Sequence, residues 1–371
     1  MGLKTLEKSL LKYNTPLSRI KMSLSRRGLD GFLVTSQYNR FYLSGFSAKD
    51  MGIEESAGAL LVLRKEHYLL TDGRFAVQAA DECPGWSVVV YKKGLAQGIK
   101  SVIADFSIKF LGYEPRFIAC EILGNIRKAL PGLELVPLKG IVERMREKKQ
   151  PWEVERIKKA VSAAEKVIDE VWRSIRPGHT EKEIAFMILK GLYEEAEGPS
   201  FSPIVASGPN SALPHAEPTN RKIKKGEPLI IDMGAIYKGY CSDMTRTLFP
   251  GKGPDELFAK IYRIVARAKQ KAQAAIKAGI VAKEVDAIAR KEIEKSGYGK
   301  EFVHSLGHGV GLAVHEPPAL SFRNRKKLRS GNVVTVEPGI YIAGKGGVRL
   351  EDMVLVTESG SICLNSNKWY Y

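Results

Sequence analysis

The stretch HSLGHGVGLAVHEPP, residues 304 to 318, holds three of the chain's six histidines: His304, His308 and His315. Imidazoles can ligate metal, move protons or hydrogen-bond within a core. The four-residue spacing of His304 and His308 would suit a metal pair on one helical face. Gly307, Gly309 and Gly311 oppose a helix, because each glycine costs a helix interior roughly 1 kcal/mol relative to alanine. The expectation is extended backbone, in which His304 and His308 share a face and His315 joins them only through a bend.

Four acids punctuate apolar runs elsewhere. Asp232 closes PLIID, and Asp243 follows in YCSDMTRTLF after a turn at Tyr237, Lys238 and Gly239. Glu337 follows NVVTV, and Glu351 lies within GGVRLEDMVLV. A hairpin through the turn would let acids on facing strands meet. Buried carboxylates repel, so without a cation at least one should hold a proton. With His308, the acids offer four negative charges and one imidazole, a hard donor set that matches two divalent cations. Manganese, cobalt or iron suits such donors and zinc stays open, whereas magnesium usually keeps more waters. Paired metals acidify a water and polarise a carbonyl, so hydrolysis is the natural reaction class.

The elements that must position these groups show an internal repeat. SIRPGHTEKEI (174–184) resembles AIKAGIVAKEV (275–285), each a turn entering a helix, with Thr180 and Glu183 forming a capping-box pattern. LPHAEP (213–218) echoes AVHEPP (313–318), which aligns His215 with His315. KGEPLIIDMGAIY (225–237) echoes SGNVVTVEPGIY (330–341), which aligns Asp232 with Glu337. Two halves repeating in order predict an α+β domain with a pseudo-twofold axis, across which the acids and histidines converge.

Ahead of it, strand-like runs (GFLVTS, GALLVLRKEHYLLT, WSVVVYK, KFLGYE) alternate with the helix-like GRFAVQAADE and CEILGNIRKAL, the pattern of an α/β domain. A charged helix beginning near Pro151 follows. The boundary is placed between residues 145 and 146, giving domains 1–145 and 146–371. Trp152 and Trp172 on that helix are expected to pack between the domains. Two domains suit 371 residues, since single cores seldom grow past roughly 250 to 300.

Hydrophobic residues at 44% and charged residues at 27% exclude a disordered chain. No apolar run reaches the ~20 residues of a membrane span, and MGLKTLEKSLLKYN lacks a leader-like apolar segment, so a cytoplasmic protein is expected. Cys83, Cys120, Cys241 and Cys363 form no CxxC pair and read as reduced thiols, with Cys241 a buried filler. The net charge of +17 is diffuse. Its densest runs, RKIKK (221–225) and RNRKKLR (323–329), read as solvated loops, so nucleic acid is not an expected partner. His67 and His179 read as non-catalytic.

IIDMGAIYKGYCSDMTRT, HSLGHGVGLAVHEPP, VEPGIYI and GGVRLEDMV together resemble the pita-bread metallopeptidases, in the M24B branch of Xaa-Pro aminopeptidases (aminopeptidase P) and Xaa-Pro dipeptidases (prolidases). YNRFYLSGF and LLTDGRF resemble that family's creatinase-like N-terminal domain more weakly. The resemblance implies that Asp232 chelates one metal, that Asp243 and Glu351 bridge two, and that His308 and Glu337 complete the second. Glu337 would also handle the proton of the attacking water. It further implies that His315 stabilises the tetrahedral intermediate, His215 contacts the proline side of the substrate, His304 lines the pocket, and Arg349 orients carboxylates. The expected activity is cleavage between an N-terminal residue and a following proline, in peptides or alternatively in dipeptides, by a homodimer holding two divalent ions, manganese first. Methionine aminopeptidase is opposed by the large N-terminal domain. A creatinase-like enzyme or a non-catalytic binding module is opposed by the intact acids.

Overall fold

A computed structural model of the chain describes residues 15–52 and 55–366. The polar opening segment MGLKTLEKSLLKYN therefore lies outside the described residues. Among those described, no helix is long and apolar enough to cross a membrane. The described residues separate into two compact units at the bond between Arg146 and Glu147.

The first unit is an α/β layer structure. Its strands are β1 (Gly31–Val34), β2 (Ala59–Leu63), β3 (His67–Thr71), β4 (Ser87–Val90), β5 (Phe110–Tyr113) and β6 (Glu134–Pro137), in the sheet order β4-β3-β2-β1-β5-β6. Its helices are α1 (Pro16–Arg26), α2 (Gln37–Ser44), α3 (Ala76–Glu82), α4 (Leu95–Ile103), α5 (Cys120–Ala129) and α6 (Ile141–Arg146). β2 alone runs antiparallel to its neighbours. GALLVLRKEHYLLT makes two strands, because Leu63 N donates to Glu66 O at 2.9 Å and turns the chain. Continuous apolar strands bury both faces of a sheet. Phe32, Leu60 and Leu69 accordingly pack into one cluster, while Leu33, Leu61 and Leu70 pack into another. His67 stands edge-on to Trp86, with ring centroids 4.8 Å apart, and plays a packing role.

The second unit begins with α7 (Pro151–Ser174) and α8 (Glu181–Glu195). Pro151 occupies the first turn of α7, and Gln150 and Glu153 cap it reciprocally; Thr180 and Glu183 do the same for α8, as the sequence pattern predicts. β7 (Ile204–Ser207), β8 (Leu229–Met233) and β11 (Met244–Leu248) form a sheet ordered β11-β8-β7, with the ribbon β9 (Ile236–Tyr237) and β10 (Tyr240–Cys241) between β8 and β11 in sequence. The same succession follows again. α9 (Glu256–Ala275) and α10 (Ala282–Lys295) precede β12 (Gly307–Gly309), β13 (Glu316–Leu320), β14 (Val333–Val336), the ribbon β15 (Gly339–Ile342) and β16 (Gly346–Arg349), β17 (Asp352–Val356) and β18 (Ser361–Cys363). The larger sheet is ordered β13-β12-β14-β17-β18. Each sheet packs against its helix pair in its own apolar cluster.

Several expectations are corrected. Extended backbone around the histidines covers only Gly307–Gly309, and His304 lies in the turn before it, because the turn's polar backbone is satisfied by α10 rather than by a neighbouring strand. RKIKK is not simply solvated: Ile223 is buried, and Arg221 is ion-paired to Glu227 at 2.5 Å. All four cysteines are free thiols.

Candidate metal centre

Strand register assembles the acids. β8 and β11 run antiparallel, with Asp232 opposite Thr245, and Asp243 stands two residues before that threonine on the same side. In the second half Glu337 follows the end of β14 and Glu351 precedes β17, and these strands also pair antiparallel, with Val336 opposite Asp352. The hairpin between Asp232 and Asp243 turns through Lys238 and Gly239, both at positive φ (47° and 78°), the geometry of a tight two-residue turn. The halves are stitched by Thr245: its carbonyl accepts from Glu351 N at 3.1 Å, and its hydroxyl donates to Glu351 Oε2 at 2.8 Å.

His308 arrives on β12 between two glycines that the packing requires. A Cβ at position 307 would stand 2.1 Å from Thr335 O, and one at 309 would stand 2.5 Å from Glu316 O. His308 N donates to Thr335 Oγ1 at 3.0 Å, and that hydroxyl donates to Glu337 Oε1 at 3.0 Å. The imidazole Nε2 ends 3.3 Å from Glu337 Oε1 and 3.6 Å from Asp243 Oδ2. Donor atoms within 4.8 Å of one another form three overlapping groups: Asp232, Asp243 and Glu351; His308, Glu337 and Glu351; and Asp243, His308 and His315. All five proposed ligands therefore converge, and His315, read from the sequence as a non-ligand, also comes within ligand distance.

The electrostatics of this cluster demand a cation. Burial, and then the charges of Glu351 and the other acids, push the Asp243 carboxyl well above its ordinary range. Burial and the charges of Glu337 and Asp232 do the same to Glu351. Glu337 is pushed up to about 8, chiefly by burial, with Arg349 opposing. Asp232 Oδ1 is buried without a hydrogen-bond partner. An unpartnered buried carboxylate oxygen is costly unless something positive meets it. His308 fits the same requirement. Burial lowers its pKa to about 4, so it is neutral at pH 7, and its Nδ1 lies 3.1 Å from Gly309 O. Donation from Nδ1 leaves the Nε2 lone pair facing the acids, the usual tautomer of a metal-binding imidazole. The residues present thus fit a pair of hard divalent cations.

Arg349 braces the centre. Its Nη2 donates to Asp232 Oδ2 at 2.7 Å, Nε to Thr245 Oγ1 at 3.0 Å, and Nη1 to Pro214 O at 3.1 Å and Tyr341 Oη at 2.9 Å. Burial disfavours its charge, but Tyr341 and Asp232 more than offset this and push its pKa upwards. Tyr341 Oη is also 2.9 Å from His304 Nε2, and His304 Nδ1 is 2.8 Å from Ser305 O. Burial lowers His304 to about 4. Its neutral ring therefore donates to Ser305 and accepts from Tyr341. His315 packs edge-on to His308, with centroids 4.1 Å apart, and burial lowers its pKa. His215 is exposed on the loop after β7.

Sequence reasoning did not single out Tyr341, Thr245 or Thr335. The repeat gave no signal for Tyr341, since the offset that aligns Asp232 with Glu337 sets Tyr341 against Ile236. His179 stays outside the cluster, its Nδ1 accepting from Arg176 N at 3.2 Å. Cys241 is buried with its Sγ 3.5 Å from Leu312 O.

Comparison with known proteins agrees with this geometry. Residues 155–358 match Metallopeptidase family M24, and residues 16–148 match the Creatinase/Prolidase N-terminal domain. An Xaa-Pro dipeptidase of Pyrococcus horikoshii is 36% identical over 358 residues, covering 94% of this chain and 96% of that protein. An Xaa-Pro dipeptidase structure from Bacillus anthracis superposes with a TM-score of 0.88 at 35% identity, covering 95% of this chain and 98% of the other. An X-Pro aminopeptidase structure from Thermotoga maritima gives the same TM-score, identity and coverage. The α/β first unit and the repeated α+β second unit are thus the creatinase-like and pita-bread domains, and the chain belongs to metallopeptidase family M24 as a metallo-exopeptidase.

Proposed function

We propose that the chain is an Xaa-Pro aminopeptidase, removing the N-terminal residue from peptides whose second residue is proline. The observation that carries the choice is that the protein itself occupies the site's arginines, with four hydrogen bonds from each guanidinium. Arg349 makes its bonds to Asp232, Thr245, Pro214 and Tyr341. Arg290, beside His304, makes its bonds to Asp286, Phe302 O and His304 O. A dipeptidase must hold the proline carboxylate at close range, and neither guanidinium is offered for that. The second reading, Xaa-Pro dipeptidase, is favoured by the relatives that carry that name.

In this reading Asp232, Asp243, His308, Glu337 and Glu351 hold two divalent ions, manganese first. Bound there, the ions supply Lewis acidity and a water acidic enough to react at neutral pH. The remaining steps fall to side chains. Glu337, held by Thr335 Oγ1 at 3.0 Å, accepts a proton from the attacking water and returns it to the departing proline nitrogen. That nitrogen carries no hydrogen in the peptide, and like any amide nitrogen it must gain a proton to leave. His315 stands beside His308 and donates to the oxygen that becomes negative during attack, while His215 meets the proline ring. Arg349 fixes Asp232 throughout.

The deciding experiment reconstitutes the protein with manganese and compares an Xaa-Pro dipeptide with an Xaa-Pro-Yaa tripeptide, using a chelator as control. Chelator-sensitive cleavage that favours the tripeptide supports the aminopeptidase. Preference for the dipeptide replaces it with the dipeptidase, and cleavage of neither removes the proline specificity.

A further inference from the structure

Outside the ligand set, one fully buried acid makes no contact with the metal centre and yet governs a loop at its edge. Glu181, the first residue of α8, is 0% exposed. Its Oε1 accepts from Ser207 N and Ser207 Oγ, both at 2.7 Å, and from Asn210 Nδ2 at 3.1 Å. Its Oε2 accepts from Asn210 Nδ2 at 3.1 Å, Thr219 N at 3.0 Å and Thr219 Oγ1 at 2.6 Å. One carboxylate thereby closes the base of the 207–219 loop. The helix does not need Glu181 as a cap, since Thr180 and Glu183 already form the reciprocal cap of α8. Its side chain serves the loop.

That loop carries His215, and its middle is tied to the centre where Pro214 O accepts from Arg349 Nη1 at 3.1 Å. The other half of the repeat uses a comparable device. Asp286 on α10 is also 0% exposed; it accepts from Leu306 N at 3.0 Å and holds Arg290, which donates to the carbonyls of Phe302 (3.0 Å) and His304 (2.8 Å). Each half thus ties its histidine-bearing loop to a buried acid on its second helix.

We propose that Glu181 is a positioning residue that fixes His215 at the substrate side of the centre. The proposal rests on the reading above in which His215 meets the substrate. A loop pinned at both ends and at Pro214 leaves His215 few conformations, so substrate meets an ordered imidazole instead of ordering it on binding. Loss of the carboxylate would leave the amides of Ser207 and Thr219 without their acceptor, and the base of the loop would open.

The test is a double-mutant cycle between Glu181→Gln and His215→Ala on the metal-loaded full chain, with metal content measured in each variant. Glu181→Gln is expected to keep its metal and to lower kcat/KM for an Xaa-Pro-Yaa peptide about tenfold, mainly through KM. In the His215→Ala background the same change is expected to cost less than about twofold. Losses that multiply in full would overturn the proposal, because a general structural defect does not depend on His215. Hydrogen exchange supplies a readout free of turnover: in Glu181→Gln, amides of 207–219 should exchange faster while those of 304–316 stay protected. Unchanged protection of 207–219 would also overturn it. If Glu181→Gln does not fold, Thr219→Val removes one donor to the same carboxylate and takes its place in the cycle with the same expected non-additivity. If the wild-type chain cleaves no Xaa-Pro peptide, the functional reading fails, and the exchange measurement still decides whether Glu181 anchors the loop.

Discussion

Arg349 meets Asp232 through one oxygen only, Nη2 to Oδ2 at 2.7 Å, and leaves Oδ1 buried with no partner. The guanidinium thereby orients the carboxylate and presents its other oxygen to the centre. Because Arg349 also grips Thr245, Tyr341 and the Pro214 carbonyl, the orientation of one candidate ligand is linked to the loop that carries His215.

Arg349→Met should therefore weaken divalent metal binding about 10- to 100-fold, although Arg349 is not itself a ligand. Titrating the metal-free protein with manganese measures this directly. Wild-type affinity in the variant would show that Asp232 needs no orientation.

Metal binding should release protons at neutral pH. Glu337 sits at about 8, and Asp243 and Glu351 lie well above their ordinary range when no cation is present. A ligand must be deprotonated, so apparent affinity should fall steadily as pH drops below about 8. Calorimetry in two buffers with different ionisation enthalpies counts the protons released. A heat independent of buffer would contradict the picture of protonated acids awaiting metal.

Much of this centre was legible in the sequence, and the reason is physical. Asp232, Asp243, Glu337 and Glu351 interrupt or end apolar strands, where a carboxylate needs an explanation, and the repeat showed that the two halves carry matching positions. Tyr341 escaped because it looks like any strand aromatic. Its hydroxyl reaches Arg349 and His304 only after the β15–β16 ribbon folds back, with Gly339 opposite Arg349. His304 was misread for a related reason: glycines argued against a helix, but only the contacts of Asp286 and Arg290 make residues 302–306 a turn and not a strand. In the first unit, LAQGIKSVI and ELVP became a helix and an edge strand through packing on neighbours, which short segments do not announce.

The glycines around His308 should resist the smallest substitution. At Gly307 a Cβ would meet the Thr335 backbone at 2.1 Å, and backbone cannot step aside as a side chain can. Gly307→Ala should destabilise the protein by roughly 1–3 kcal/mol or more and weaken metal binding, since β12 must shift and take His308 with it. Denaturant unfolding and metal titration on the same sample test both. Retention of both properties would mean that the strand has slack the packing does not show.

The first unit contains its own pH-sensitive group. Glu114 is buried and pushed up to about 7, despite accepting from Thr35 N, Ser36 N and Asn39 Nδ2. The folded state therefore keeps a proton that the unfolded chain loses near 4.5. Its contribution to stability is complete below about 4.5 and is lost as pH rises towards 7, an effect of about 3 kcal/mol. Glu114→Gln should flatten the pH dependence of unfolding across that window, whatever its effect at a single pH. An unaltered slope would assign the window to another group.

Glu337 carries the most direct prediction about chemistry. It is the candidate ligand that also accepts from a hydroxyl tied to His308, Thr335 Oγ1 at 3.0 Å, so one of its oxygens is held in place while the carboxylate exchanges a proton. Glu337→Gln keeps the size and one oxygen for the metal but cannot relay a proton. It should fold with wild-type unfolding behaviour, bind metal more weakly, and lose about 10²- to 10⁴-fold in kcat when assayed at saturating metal. Saturation separates the two roles: if full metal occupancy restores turnover, Glu337 is a ligand and nothing more, and the proton must travel through another group at the centre.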